Sequence, residues 1–257
     1  MKHQKMYEPD DKMISLIRDN YNLLQSLGSF GISLGFGDKT VKQVCEEQKV
    51  DTYTFLAVVN FTINGNSYLE DVSKLSVPTL LQYLRASHAY YIEFQLPFIR
   101  RELMDALDEN DSLAKLIMKL YDEYARSVTT HMKYEERNVY PYVEALLEGK
   151  VAGSFEIDMY SKHHSQESTK LRELKSIIIK YLPSDGLHNN QLSATLYDIY
   201  NNEEWLALHA QVEDNIAVNT VITHRRNIAR KLQIHSPAGL TIYAIVNNLV
   251  DISTVKL

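Results

Sequence analysis

The stretch HMKYEERNVYPYVEALLEG, residues 131–149, decides the fold of this chain. Its first five residues place His131 and Glu135 four positions apart, so a helix would carry both side chains on one face. The same pair recurs in HAQVE, residues 209–213, as His209 and Glu213. Imidazole with carboxylate is a ligand set that suits iron and manganese. The two pairs therefore indicate a metal site built on helices.

The pairs belong to a larger repeat that includes two further histidines. His88 precedes His131 by 43 residues, and His164 precedes His209 by 45 residues. Among nine histidines and 33 acidic residues such pairs also arise by chance, and His163 with Glu167 forms a third one. The repeat predicts two helical hairpins of similar length that bring six ionisable groups to one depth in a bundle. Burying them together would be very costly without a metal.

Composition favours long helices. Of 257 residues, 45% are hydrophobic, whereas only 9 are glycine and 6 are proline. The single cysteine excludes an intrachain disulfide and fits a reducing compartment. The N-terminal segment MKHQKMYEPDDK lacks the apolar core of a signal peptide, and no apolar run is long enough for a membrane span. We therefore expect a cytoplasmic protein with no membrane partner.

The pattern predicts an all-α chain with three parts. A small helical N-terminal domain is expected over 1–70, with Asp38 or Thr40 capping one of its helices. An antiparallel four-helix bundle is expected over 76–217, and a helical hairpin over 218–257. Asp111 or Ser112 would cap the second bundle helix, and Pro97 would kink the first. The four bundle helices are predicted at 77–108, 112–148, 155–182 and 190–216.

Three of the bundle segments resemble a known family. HMKYEERNVYPYVEALLEG, LHAQVEDNI (208–216) and ASHAYYIEFQLPFIRREL (86–103) resemble the hemerythrin-like HHE metal-binding domain over roughly 77–217. The spacings are similar to those of the iron-centre repair proteins, which hold two iron ions in an Fe–O–Fe type centre. The resemblance implies that the two glutamates bridge the ions and that the histidines are terminal ligands. The implied ligands are His88, His131, Glu135, His164, His209 and Glu213.

Several alternatives stay open at this point. His163 competes with His164, which is favoured because Leu171 and Leu174 then fall where the family helix has them. Glu93 is a fallback ligand near His88. Manganese or zinc could use the same donors as iron.

The repair proteins carry a Cys-Cys-Gly loop in their small leading domain, and Gly35-Phe36-Gly37 stands in its place here. Cys45 lies further along a predicted helix. It is expected to be a buried small hydrophobic residue.

The tail NTVITHRRNIARKLQIHSPAGLTIYAIVNNLVD, residues 219–251, resembles the second half of a LuxR-type helix-turn-helix domain. Polar and basic side chains on one helix face could meet phosphates and base edges. The two helices that would position the recognition helix are absent, which argues against the usual docking of a monomer on DNA. The implied DNA-binding residues are Thr223, His224, Arg225, Asn227 and Lys231.

The sequence supports three functional hypotheses. The first is a non-haem di-iron protein that binds O2 or NO and acts in oxidative or nitrosative stress or in iron–sulfur cluster repair. The second is a metal- or gas-sensing transcription regulator that binds DNA through its tail. The third is a structural helical protein. Whether the chain is an enzyme, and whether it forms a homodimer, is left open.

The choice between the neighbouring histidines generates a prediction. His164→Ala should lose metal, because His164 is the implied ligand, whereas His163→Ala should largely retain it. Elemental analysis of the two purified variants measures this, and the reverse outcome would overturn the helix register.

Overall fold

A computed structural model describes residues 5–64, 71–147, 164–181 and 189–217, together with Thr223 and Arg230. Within these ranges, all regular structure is helical apart from one isolated antiparallel bridge between Lys12 and Thr40. The predicted all-α class is confirmed.

The helices follow the chain in a simple order. The α-helices are α1 (Met13–Asp19), α2 (Leu23–Ser29), α3 (Val41–Glu47), α4 (Thr52–Asn64), α5 (Val77–Ala89), α6 (Leu96–Ala106), α7 (Ser112–Tyr134), α8 (Tyr140–Leu147), α9 (His164–Tyr181) and α10 (Asn189–Val212). A 3-10 turn occupies Val72–Lys74. Three π-helical segments occupy Tyr90–Gln95, Glu135–Val139 and Glu213–Ala217.

The chain divides into two compact units. The first contains Met1–Ala86, Glu136–Ile157 and Gln211–Leu257, and the second contains Ser87–Glu135 and Asp158–Ala210, as far as these residues are described. The predicted boundaries at residues 70, 76 and 217 follow the sequence pattern and stay predictions.

In the first unit, short N-terminal helices surround an apolar centre. Helix α3 is capped by Thr40, whose hydroxyl accepts from the Gln43 amide while the Gln43 side chain accepts from the Thr40 amide. Cys45 is fully buried, and burial raises the pKa of its thiol to about 12. A buried neutral thiol is the small hydrophobic residue that was predicted.

In the second unit, four α-helices and the first π-helical segment share one apolar core, and α7 packs against both α6 and α9. Helix α7 is capped by Asp111, whose carboxylate accepts from the Leu113 amide. The Tyr121 hydroxyl donates to the Leu96 carbonyl at 2.8 Å and ties α7 to α6. The buried core residues are Tyr91, Leu96, Ile99, Leu103, Ile117, Tyr121, Tyr124, Val128, Met132, Leu171, Leu174, Ile178 and Ile199.

The predicted helix 77–108 is interrupted before Pro97, and the predicted kink at Pro97 itself stays a prediction. The interruption is a π-helical segment, Tyr90–Gln95, and α6 then starts with Pro97 in its first turn. Proline has no amide hydrogen and is tolerated at the beginning of a helix. The predicted helices 112–148 and 190–216 contain π-helical segments that the sequence pattern did not predict. The predicted helix 155–182 is described only from His164 onward.

Two adjacent isoleucines of α9 give a stability test of this core. Ile178 is 2% exposed, whereas Ile179 is 60% exposed. Ile178→Ala should lower the free energy of unfolding by about 2–5 kcal/mol, because it leaves a cavity in a packed core. Ile179→Ala should change it by less than about 0.5 kcal/mol. Urea unfolding measures both, and equal effects would refute the assignment of the buried face.

Candidate metal centre

The candidate ligands lie where α-helices give way to π-helical segments. His88 is the next-to-last residue of α5, two positions before the first π-helical segment. His131 lies in the last turn of α7, and Glu135 is the first residue of the second π-helical segment. Isolated π-helical turns within α-helices are frequent at functional sites. The π-helical segments therefore lie at the same positions at which the histidine spacing predicts metal ligands.

Glu135 contacts histidines from two helices of the second unit. Its Oε1 lies 3.0 Å from His131 Nε2, and its Oε2 lies 3.3 Å from His88 Nε2. Glu135 and His88 are fully buried, and the His131 side chain is 12% exposed. Each carboxylate oxygen therefore faces a different imidazole.

His209 joins this group from α10. Its Nε2 lies 3.1 Å from His88 Nε2, and the two rings meet at 61°. The ring of Tyr91, also buried, lies 6.2 Å from the His209 ring. Two ring nitrogens that face each other share at most one hydrogen between them, and both are positioned as they would be around a cation.

Glu213 follows His209 by four residues on the same helical rod and opens the third π-helical segment. His88, His209 and Glu213 each offer one ligand atom, and these atoms lie within 4.8 Å of one another. Glu213 is fully buried, and its Oε1 accepts a hydrogen bond of 3.0 Å from the Tyr140 hydroxyl.

This donor set fits a metal. Ionisable side chains are rarely buried together unless they are paired or bind a cation. Imidazole nitrogens and carboxylate oxygens suit iron, manganese and zinc. The cluster meets both conditions, since its histidine nitrogens and carboxylate oxygens converge while almost all of their surface is withdrawn from solvent.

The remaining predicted ligands are placed as follows. His164 is the first residue of α9, but its side chain lies outside the described part of the structure, as does all of His163. Glu93, the fallback ligand, is exposed on the first π-helical segment. An exposed carboxylate at that position does not join the buried group.

Tyr140 and its neighbours were missed by the sequence reasoning. The Arg85 guanidinium lies 5.5 Å above the Tyr140 ring and forms an ion pair of 2.7 Å with Glu144. This hydrogen bond lowers the pKa of the Glu144 carboxyl and raises the pKa of Arg85. With 17 tyrosines in the chain, residue type alone gave no signal for Tyr140.

The predicted DNA-binding residues lie almost entirely outside the described part of the structure. Thr223 is described and helical, whereas His224, Arg225, Asn227 and Lys231 are not described. Among the described helices, none combines the length and the apolar character needed to cross a membrane.

The chain belongs to the family of the hemerythrin HHE cation-binding domain, whose model matches residues 79–221. The match spans more than half of the chain and includes all six predicted ligand positions. It confirms the predicted hemerythrin-like domain and indicates a metal-binding function. The search of the curated proteins found no match to this chain.

The position of Glu135 predicts the effect of its removal. Glu135→Ala should weaken metal binding by roughly tenfold or more. Loss of a residue that only hydrogen-bonds to a metal ligand already lowers metal affinity by about 10–100-fold. Glu123→Ala, at an exposed position of the same helical rod, is the matched control and should retain the metal. Metal content after dialysis measures both variants, and equal retention by the two would remove Glu135 from the site.

Proposed function

We propose that the chain is a non-haem di-iron protein of the hemerythrin type that handles O2 or NO in oxidative or nitrosative stress. The observation that carries this proposal is the placement of the Glu135 carboxylate. One of its oxygens faces His88 and the other faces His131. A carboxylate that offers one oxygen to each of two sides suits a bridge between two ions better than a ligand to one ion.

The residues that would hold the two ions are the predicted four histidines and two glutamates. Their donors suit iron, and manganese and zinc are the competing metals. Iron held by these residues would supply redox chemistry and the capacity to bind a small molecule. The protein supplies the orientation of each donor and an apolar surrounding.

The apolar surrounding is formed by the core of the second unit. Tyr91 and Met132 are buried neighbours of His88 and His131 along their helices. Because such side chains exclude bulk water, a diatomic molecule with little polarity would partition toward the site more readily than a charged one. This favours O2 or NO over an ionic ligand.

Iron–sulfur cluster repair is the cellular role that we infer within this class. Its support is the similarity of the ligand spacings to those of the iron-centre repair proteins. The buried thiol of Cys45 does not fit a role as an exposed sulfur donor. Any repair would therefore depend on the metal centre rather than on a cysteine of the leading domain.

A gas- or metal-sensing regulator is the second proposed function. It is favoured by the resemblance of residues 219–251 to half of a LuxR-type domain. Binding of a random DNA duplex in a salt series tests it, because phosphate contacts make affinity fall steeply with salt. No detectable binding even at low salt would leave the regulator proposal without support.

The di-iron proposal is tested by metal content and by repair activity. The full-length protein, purified without added metal and then after anaerobic loading with Fe²⁺, should contain about two iron ions per chain, one for each side of a bridging carboxylate. Well under one metal per chain in both preparations would contradict the proposal. Incubation of the loaded protein with a hydrolyase whose iron–sulfur cluster has been damaged by NO then tests the repair role. If the activity of the damaged hydrolyase does not recover, the repair role is ruled out, whereas the di-iron proposal is unaffected.

A further inference from the structure

The hydroxyl group of Tyr140 donates a hydrogen bond to Glu213, a candidate metal ligand. Tyr140 is the first residue of α8 and is 1% exposed. Its hydroxyl donates to Glu213 Oε1 at 3.0 Å, and both residues belong to the first unit. A buried tyrosine hydroxyl needs a hydrogen-bond acceptor, and a buried carboxylate needs donors. The contact serves both groups.

The ring of Tyr140 is in turn held from the other side. The Arg85 guanidinium lies 5.5 Å from the ring centroid, within the range of a cation–π interaction. Arg85 is itself paired with Glu144 at 2.7 Å, and these two side chains are 40% and 45% exposed. The half-exposed ion pair therefore contacts the aromatic ring of Tyr140, and the hydroxyl of that ring contacts the buried carboxylate of Glu213.

We propose that Tyr140 is the positioning residue for Glu213 and sets the affinity of the metal centre, with Arg85 fixing the tyrosine ring. This inference rests on the proposed metal centre. Hydrogen-bonded partners of ligating groups orient the ligand and tune its basicity. The phenol does both here, because it fixes one oxygen of Glu213 and withdraws charge from the carboxylate.

Tyr140 directly follows the second π-helical segment. On an α-helix, a residue five positions after Glu135 would lie about 140° around the axis from it. A π-helical turn closes with a bond from residue i to residue i+5, which brings the fifth residue back toward the same side. Glu135 is the first residue of this segment, and Tyr140 is the first residue after it. The segment that begins with the candidate ligand Glu135 is thus followed directly by the tyrosine that donates to Glu213.

The test compares two tyrosine variants that lose the same atom. Tyr140→Phe removes the donor to Glu213. Tyr121→Phe removes an equally buried hydroxyl that donates to a backbone carbonyl at 2.8 Å. Metal-free full-length proteins are titrated with Co²⁺ in competition with a chelator, and the visible absorption bands of bound Co²⁺ are recorded.

The expected result is that Tyr140→Phe weakens Co²⁺ binding by about 10–100-fold and shifts the absorption bands. Tyr121→Phe should leave affinity and bands unchanged, although both variants lower the free energy of unfolding of the metal-free protein. If Tyr140 had only a structural role, Tyr140→Phe would lower the free energy of unfolding without changing the Co²⁺ affinity or the absorption bands. Wild-type affinity and bands in Tyr140→Phe would overturn the inference.

Arg85→Gln keeps the proposal testable if Tyr140→Phe does not fold. It removes the cation above the ring from a partly exposed position and should weaken Co²⁺ binding less than the loss of the hydroxyl. Unchanged affinity in Arg85→Gln, with Tyr140→Phe unfolded, would also overturn the inference. If the wild-type protein binds neither Co²⁺ nor Fe²⁺, the proposed metal centre itself is wrong. That outcome differs from the one in which the wild type binds metal and Tyr140→Phe binds it equally well.

Discussion

The burial of imidazole and carboxylate groups inside a helical core is the constraint on which the rest of the structure depends. His88 and Glu135 have lost all contact with solvent, so their hydration must be replaced by other charged or polar atoms. These groups replace water for one another, because the two carboxylate oxygens of Glu135 face the imidazole nitrogens of His88 and His131. A bound cation would complete this replacement. The apolar packing of α6, α7, α9 and α10 is what keeps the groups at one depth.

The helices meet this constraint by changing their geometry at the site. A π-helical segment begins two residues after His88, and others begin at Glu135 and at Glu213. Each widened turn rotates the following helix, so the residues beyond it present a new face. Tyr140, directly after the second segment, and Ile216, within the third, are both buried. The candidate ligands are thus part of the helical architecture.

Much of this arrangement was predictable, and the exceptions have a common physical cause. Low glycine and proline content, the caps at Thr40 and Asp111, and the repeated histidine spacing are local signals that residue types carry directly. The π-helical segments at Glu135 and Glu213 are not local signals. A switch from i+4 to i+5 hydrogen bonds has no fixed residue signature and is stabilised by contacts with other helices. Tyr140 was missed because one tyrosine among 17 carries no local signal of a contact with Glu213, which lies 73 residues further along the chain. His164 remains favoured over His163 by the sequence spacing to Leu171 and Leu174.

X-ray absorption spectroscopy at the iron edge of the Fe²⁺-loaded, full-length protein tests the central claim most directly. The account predicts a first shell of nitrogen and oxygen donors only, multiple scattering from imidazole rings, and a second iron scatterer beyond that shell. Both metals would then be held by the histidine and carboxylate groups that the helices bury. A sulfur donor in the first shell, or a spectrum with neither imidazole scattering nor a second iron, would contradict a di-iron centre at this site.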